Sequence, residues 1–227
     1  MNLSELPLTA FIDPQGKNHQ EIEQLASQVL DLILSHLTTA INHSPLPEIG
    51  DFTDFVSIPE NSISESILLE KLNTIITRST NAANPGYMGH MDSMPTTISI
   101  LAELVAAALN NNMLSVEMSP ILSRLEFNLI KQFAQLFGWG ETSGGVMASG
   151  GTLANLQALT VARNRAFNSH TLGIWNQTQQ PVLLASEVAH TSLQKAAMLL
   201  GLGTSAVIPV KTNINSQIEI EDLKRQI

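Results

Sequence analysis

Apolar residues recur at three- and four-residue steps from His19 to about Ile41: Ile22, Leu25, Ala26, Val29, Ile33, Leu37 and Ile41. That spacing keeps them on one side of a helix, so the pattern predicts an amphipathic helix there. Leu30, Leu32 and Leu34 widen the stripe. The helix therefore reads either as a core element or as an arm that packs on a second subunit. Ser44-Pro45-Leu46-Pro47 breaks it. A second helix fits Ser64 to Arg78. Asn81 to Pro95, rich in Asn, Gly, Met and Pro, reads as an irregular loop. Pro95 suits the opening of the next helix, where its missing N–H is not needed. That helix runs to the turn-formers Asn110-Asn111-Asn112. Ser119-Pro120 is an N-cap followed by an N1 proline. Its helix carries Ile121, Leu122, Leu125, Leu129, Ile130, Phe133 and Leu136 and ends near Gly138.

After Gly144 the pattern changes. Short apolar runs predict strands near 145–148, 182–185 and 206–210, the last two as parallel neighbours. Helices are expected over 152–166 and 192–200, and a third starts at about Glu221. Alternation of this kind implies an α/β layer with a mainly parallel sheet. Two domains follow: an N-terminal helical segment over residues 1–80, and the start of a larger α/β domain over 81–227. Only about three strands have formed by Ile227, against about five or six in an average sheet. The chain thus reads as the N-terminal part of a longer protein.

Charge narrows the function classes. Among 227 residues, 11 Lys+Arg stand against 20 Asp+Glu, so 11 − 20 = −9. Nucleic acid and anionic membrane surfaces both need clustered cations and are poor partners for this chain. Cysteine is absent, which removes disulfides, thiolate metal sites and cysteine nucleophiles. The first residues lack the basic and apolar regions of a signal peptide. The apolar stretch Ile98–Leu109 is interrupted by Glu103 and falls short of the ~20 residues of a membrane span. A cytoplasmic protein is expected. Charged residues make up only 14%, against about 25% in an ordinary domain, so a partner is expected to cover part of the surface.

Ser149-Gly150-Gly151-Thr152 is the main chemical signal. Glycines let the backbone turn and approach a ligand closely, and free N–H groups at a helix start favour an anion. An ordinary glycine turn capped by Thr152 has the same appearance. No Gly-Lys-Ser/Thr follows, so the segment is not a P-loop. Met147 occupies the first glycine position of a nucleophile elbow. His190 follows the strand ending at Ala185, where open α/β sheets place their ligands; a structural histidine at a helix start is the alternative. His36 and His43 lie seven apart on the first helix and read as surface residues, and no metal-ligand set is evident. Lys195 and Lys211 read as solvated rather than as nucleophilic amines.

In order and spacing, four segments resemble the pyridoxal-phosphate-dependent group II amino-acid decarboxylases, the family of glutamate, aromatic-amino-acid and diaminobutyrate decarboxylases. They are Asn84-Pro85-Gly86-Tyr87-Met88-Gly89-His90, the Asn110–Pro120 segment, Gly144–Asn155, and Ser186-Glu187-Val188-Ala189-His190-Thr191-Ser192. The resemblance implies an aminotransferase-like large domain (fold type I) and pyridoxal 5'-phosphate as cofactor. It assigns the cofactor phosphate to Gly151 and Thr152, ring stacking and a catalytic role to His190, and the substrate side to Tyr87 and His90. It also implies an amino-acid substrate and a homodimer in the complete protein. Asn84 stands where the family usually has His. The family's Schiff-base lysine, preceded by His, and its pyridine-binding aspartate lie beyond the histidine segment and are not found here, so the chain alone is expected to be inactive. Two other readings remain at this point: a non-catalytic fragment that binds a phosphorylated ligand or dimerises, and a serine hydrolase using Ser149 and His190.

Overall fold

The computed structural model describes residues 6–48, 50, 59–175 and 178–227. The chain falls into two compact units, Met1–Leu109 and Asn110–Ile227.

In the first unit, α1 (His19–Thr38) packs on α2 (Glu65–Arg78). Ser64 caps α2, its hydroxyl accepting from the Ile67 N–H. A 3₁₀ turn over Ala40–Asn42 follows α1. Its carbonyls are taken by two asparagines: Asn81 Nδ2 donates to Ala40 O at 2.9 Å, and Asn84 Nδ2 donates to Ala40 O at 3.0 Å and His43 O at 2.7 Å. α3 (Thr97–Leu109) carries Ile98, Leu101, Leu104, Val105 and Leu109 exposed. None of the three helices has a buried residue. His43 lies beyond α1 rather than on it, and the His36 and His43 rings stack at 5.6 Å. His36 is half-buried, not a surface residue as expected, because that stack and the helix cover it.

The second unit opens with α4 (Pro120–Leu136), which ends in a glycine turn where Trp139 N–H reaches back to Ala134 O. Next come α5 (Gly151–Phe167) and the short α6 (Ser169–Leu172). Then β1 (Leu183–Ser186), α7 (Ser192–Leu199) and β2 (Val207–Val210) form a βαβ unit, followed by α8 (Ile220–Gln226). β1 and β2 pair in parallel, from Leu183 opposite Val207 to Ser186 opposite Val210. The core is Ala197, Leu200, Leu202 and Ala206, with Leu156, Leu159, Ile174, Leu183 and Val207 packed on it. Small residues on α7 let it lie close to the sheet and to α5. At Gly201 (φ +74°) a Cβ would stand 2.8 Å from Ile174 Cδ1, so the chain turns there only because no side chain intervenes.

The strand expected over 145–148 is not formed. Residues 143–148 carry no regular structure. Met147 N–H donates to Glu126 Oε1 on α4 at 2.7 Å, and Gly145 lies against Ile130 of the same helix. A strand is defined by its ladder partner; here the backbone donor goes to a carboxylate instead. The two strands that do form are the expected parallel neighbours, and the α/β reading stands on them.

Candidate active site

The turn that opens α5 leaves backbone donors open at the helix start. Gly150 sits at φ +88°, a conformation costly for a residue with a Cβ, and its N–H turns back to Ala148 O at 2.9 Å. The first N–H to reach an acceptor inside the helix is that of Ala154, bonded to Gly150 O at 3.1 Å. The N–H groups of Gly151, Thr152 and Leu153 thus precede the helical ladder, and among the described residues none of them meets an acceptor. Gly151 has open space where a Cβ would stand, so a ligand atom can approach its backbone. Thr152 is exposed with its hydroxyl at the same end of the helix. Three free donors, a hydroxyl and the positive end of a 17-residue helix suit a phosphate group.

His190 is exposed and follows the carboxyl end of β1. The connecting turn is closed by Ser186, whose carbonyl accepts from Ala189 N–H at 2.9 Å and whose hydroxyl accepts from Val188 N–H at 3.3 Å. His190 Nδ1 accepts the backbone N–H of Ser192 at 3.1 Å. Asn155, one turn into α5, donates from Nδ2 to Ser192 Oγ at 2.9 Å. The start of α5 and the histidine segment are thereby joined. The joining comes from α5 packing on α7, and not from two strands of one sheet both ending there.

Tyr87 and His90 belong to the first unit. The Tyr87 hydroxyl donates to Asp92 Oδ2 at 3.4 Å, and its ring covers Gly89, where a Cβ would stand 3.0 Å from the hydroxyl oxygen. Partial desolvation, then the Asp92 charge and hydrogen bond, push the Tyr87 phenol above its ordinary value of 10.0. His90 and Met91 both adopt left-handed backbone, at φ 47° and 61°, and both are exposed. Asn84, which departs from the expected histidine, ties the loop down: besides its two carbonyl acceptors, its Oδ1 accepts from Gly86 N–H at 2.7 Å. Lys195 is exposed on α7, and Lys211 follows β2 with its backbone N–H bonded to Asp222 Oδ2 at 2.9 Å.

The sequence profile described as "Pyridoxal-dependent decarboxylase conserved domain" matches residues 53–227. The chain belongs to the pyridoxal-dependent decarboxylase family. It is 35% identical to an aspartate 1-decarboxylase of Aliivibrio fischeri, covering 91% of this chain and 42% of that protein. It is 26% identical to an aromatic-L-amino-acid decarboxylase of Bacillus atrophaeus, covering 92% of this chain and 43% of the relative. The crystal structure of mouse CSAD superimposes with a TM-score of 0.84 at 24% identity, over 92% of this chain and 45% of that one. The chain thus spans less than half the length of these decarboxylases. The family's cofactor is pyridoxal phosphate, and the open donors at Gly151, Thr152 and Leu153 fit its phosphate group.

Asn155 and Ser192 carry the link between the turn and His190; both close segments that carry the resemblance, but neither has a role that the sequence alone assigns. Asn155 lies four residues after Gly151, hence on the same side of α5, and that spacing, with its place at the end of the Gly144–Asn155 segment, is the signal that could have marked it. Among the described residues no helix is long and apolar enough to cross a membrane.

Proposed function

We propose that this chain is the phosphate-holding N-terminal portion of a pyridoxal-phosphate-dependent amino-acid decarboxylase, with no turnover of its own. The observation that carries the reading is the glycine turn opening α5, with three unpaired N–H donors, joined through Asn155 to the segment bearing His190. Gly151 and Thr152 hold the cofactor phosphate, and His190 lies against the cofactor ring. The family resemblance gives the substrate side to Tyr87 and His90. When bound, the cofactor takes up the electron pair left as a carboxylate departs as carbon dioxide. This chain contributes binding and orientation: backbone donors fix the phosphate and the histidine fixes the ring. No His-Lys pair occurs in the sequence, and Lys195 and Lys211 stand outside the context of a cofactor-linking lysine. A second copy of the chain is the partner proposed for the exposed apolar residues of α3 and for α1. A monomer by light scattering would overturn that pairing.

Titration of the 227-residue chain with pyridoxal phosphate, followed by equilibrium dialysis, tests the cofactor site. Loss of a hydrogen bond to a charged acceptor at Thr152→Ala is expected to weaken retention about ten-fold, and His190→Ala to weaken it as well. Unchanged affinity in both variants would mean that the site is elsewhere. Carbon dioxide release from aspartate, cysteine sulfinate and an aromatic amino acid is expected to be nil for this chain. Turnover, or a stoichiometric covalent link to Lys195 or Lys211, would overturn the claim that the lysine is missing.

The serine-hydrolase reading is disfavoured by one hydrogen bond. A backbone N–H only donates, so His190 Nδ1 is an acceptor and cannot donate to an orienting acid as a triad histidine does. The fragment that merely binds a phosphorylated ligand keeps the same turn and differs in outcome: inorganic phosphate would then compete as well as the cofactor does.

A further inference from the structure

We propose that Asn155 and Ser192 are positioning residues that set the tautomer and orientation of His190 for the cofactor, an inference that rests on the function proposed above. Three observations lead to it. Ser192 is 1% exposed although it opens a helix beside an exposed histidine. Its hydroxyl oxygen accepts from Asn155 Nδ2 at 2.9 Å, across 37 residues of sequence. Its backbone N–H donates to His190 Nδ1 at 3.1 Å.

The consequences follow from donor chemistry. Ser192 opens α7, so its N–H has no partner inside that helix and is free to turn outward. Asn155 fixes Ser192 from the α5 side, one turn below Gly151. Nδ1 of His190 is then held as an acceptor, which leaves the hydrogen of the neutral ring on Nε2. The ring cannot rotate about its Cβ without losing the Ser192 donor. One chain of bonds thus runs from the helix that presents the anion-binding turn to the ring that meets the cofactor. A shift at the turn is carried to the ring through two hydrogen bonds rather than through loose loop.

The test reads the histidine directly, before any cofactor is added. Long-range proton–nitrogen correlation spectra of the 227-residue chain, at a pH where the ring is neutral, report which His190 nitrogen carries hydrogen. The Nε2–H form is expected in the parent chain. Asn155→Ala and Ser192→Ala keep the Ser192 N–H but remove the side-chain bond that anchors it against His190, so each is expected to give a mixture of both forms, whereas Ser192→Thr, which keeps the hydroxyl, is expected to give the parent spectrum. Circular dichroism of each variant identifies any that fails to fold, and Ser192→Thr remains informative in that case. Pyridoxal phosphate is then titrated into the same samples. The two alanine variants are expected to bind about three- to ten-fold more weakly, the worth of about one net hydrogen bond. Ser192→Thr is expected to bind like the parent.

An unchanged tautomer in folded Asn155→Ala and Ser192→Ala overturns the proposal. So does a changed tautomer with unchanged cofactor affinity, because the pair would then hold the ring for no ligand. A parent chain that binds no pyridoxal phosphate while the alanine variants still release the tautomer would overturn the function proposed above, and with it the cofactor role of the pair.

Discussion

The two units are held together in different ways. Among the described residues, the second unit buries Ala134, Ala185, Ala196, Ala197, Leu200, Leu202, Ala206 and Val210, whereas the first buries one apolar residue, Ala40. What is buried in the first unit is mainly asparagine. Asn18 donates to Leu8 O at 2.6 Å and Phe11 O at 2.7 Å and accepts from Asp13 N–H at 2.9 Å; Asn81 and Asn84 tie the later loop to the Ala40–His43 turn. The second unit is stabilised by close apolar packing around a βαβ element, which is nearly proportional to area removed from water. The first combines the half-buried apolar seam of α1 on α2 with directional bonds between loops, each worth about 0.5–1.5 kcal/mol net. The second unit is therefore vulnerable to changes of volume, the first to loss of single polar side chains.

The largest effect is expected at Ala197. It is fully buried between α5 and the sheet, so Ala197→Leu must push the layers apart. A loss of about 2–3 kcal/mol is expected for the second unit, read by amide hydrogen exchange in β1, α7 and β2. Ala106→Leu on exposed α3 makes the same chemical change and is expected to cost less than about 0.5 kcal/mol. Equal effects at the two sites would erase the distinction between the units.

The second unit also has a buried carboxylate at its edge. Asp222 is 4% exposed and accepts from Lys211 N–H at 2.9 Å and Arg225 Nη2 at 2.9 Å. It holds α8 to the end of β2. Asp222→Ala takes the charged acceptor from the part-buried Lys211 N–H bond and is expected to cost about 2 kcal/mol. The expected signature is local: faster exchange at 211–226 with β1 little changed. Uniform acceleration across the unit would show that Asp222 supports the core and not one edge.

In the first unit Asn81→Ala is the matching change. Asn81 is 2% exposed and its Nδ2 bond to Ala40 O crosses 41 residues. A loss of about 1–1.5 kcal/mol is expected, with exchange rising at 40–45 and 81–87 together, since the Asn81 N–H also donates to Pro45 O at 3.0 Å. Exchange rising in only one of those segments would show that the asparagine does not join them.

Much of this architecture was legible in the pattern of side chains. Three- and four-residue spacing placed α1, α2 and α4 to within a few residues, and Ser64, Ser119 and Gly138 marked helix ends. Continuous apolar runs placed β1 and β2. The run at 145–148 has the same local character, but whether such a run becomes a strand depends on a partner that periodicity does not describe. The glycine turn before α5 and the position of His190 just past β1 were legible because both are set by local sequence. The Asn155–Ser192 bond and the burial of Asn81 were not, because both join residues far apart in sequence. The stacking of His36 on His43 was hidden by the 3₁₀ turn between them, which turns a seven-residue spacing into contact by a route that a straight helix does not offer.

The smallest expected effect lies in the loop of Tyr87, the one tyrosine in the chain, so the ultraviolet absorbance of tyrosinate reports this residue alone. Partial desolvation raises its titration first, and the Asp92 charge and hydrogen bond raise it further. The favoured form is the neutral phenol. Any stability it contributes is therefore present at every pH below the unfolded phenol's value and is lost as pH rises through the raised one; acid leaves it untouched. Asp92→Asn removes the neighbouring negative charge while keeping a side chain of similar shape, so the midpoint is expected to move down. It is not expected to return to that of a free phenol, because the covering of the ring remains. A parent midpoint at or below the ordinary value of 10.0 would contradict the loop geometry. A midpoint unmoved by Asp92→Asn would separate Tyr87 from Asp92, leaving desolvation as its whole cause. If the midpoint instead moves on addition of an amino acid to the parent chain, the substrate-side role proposed for Tyr87 gains direct support.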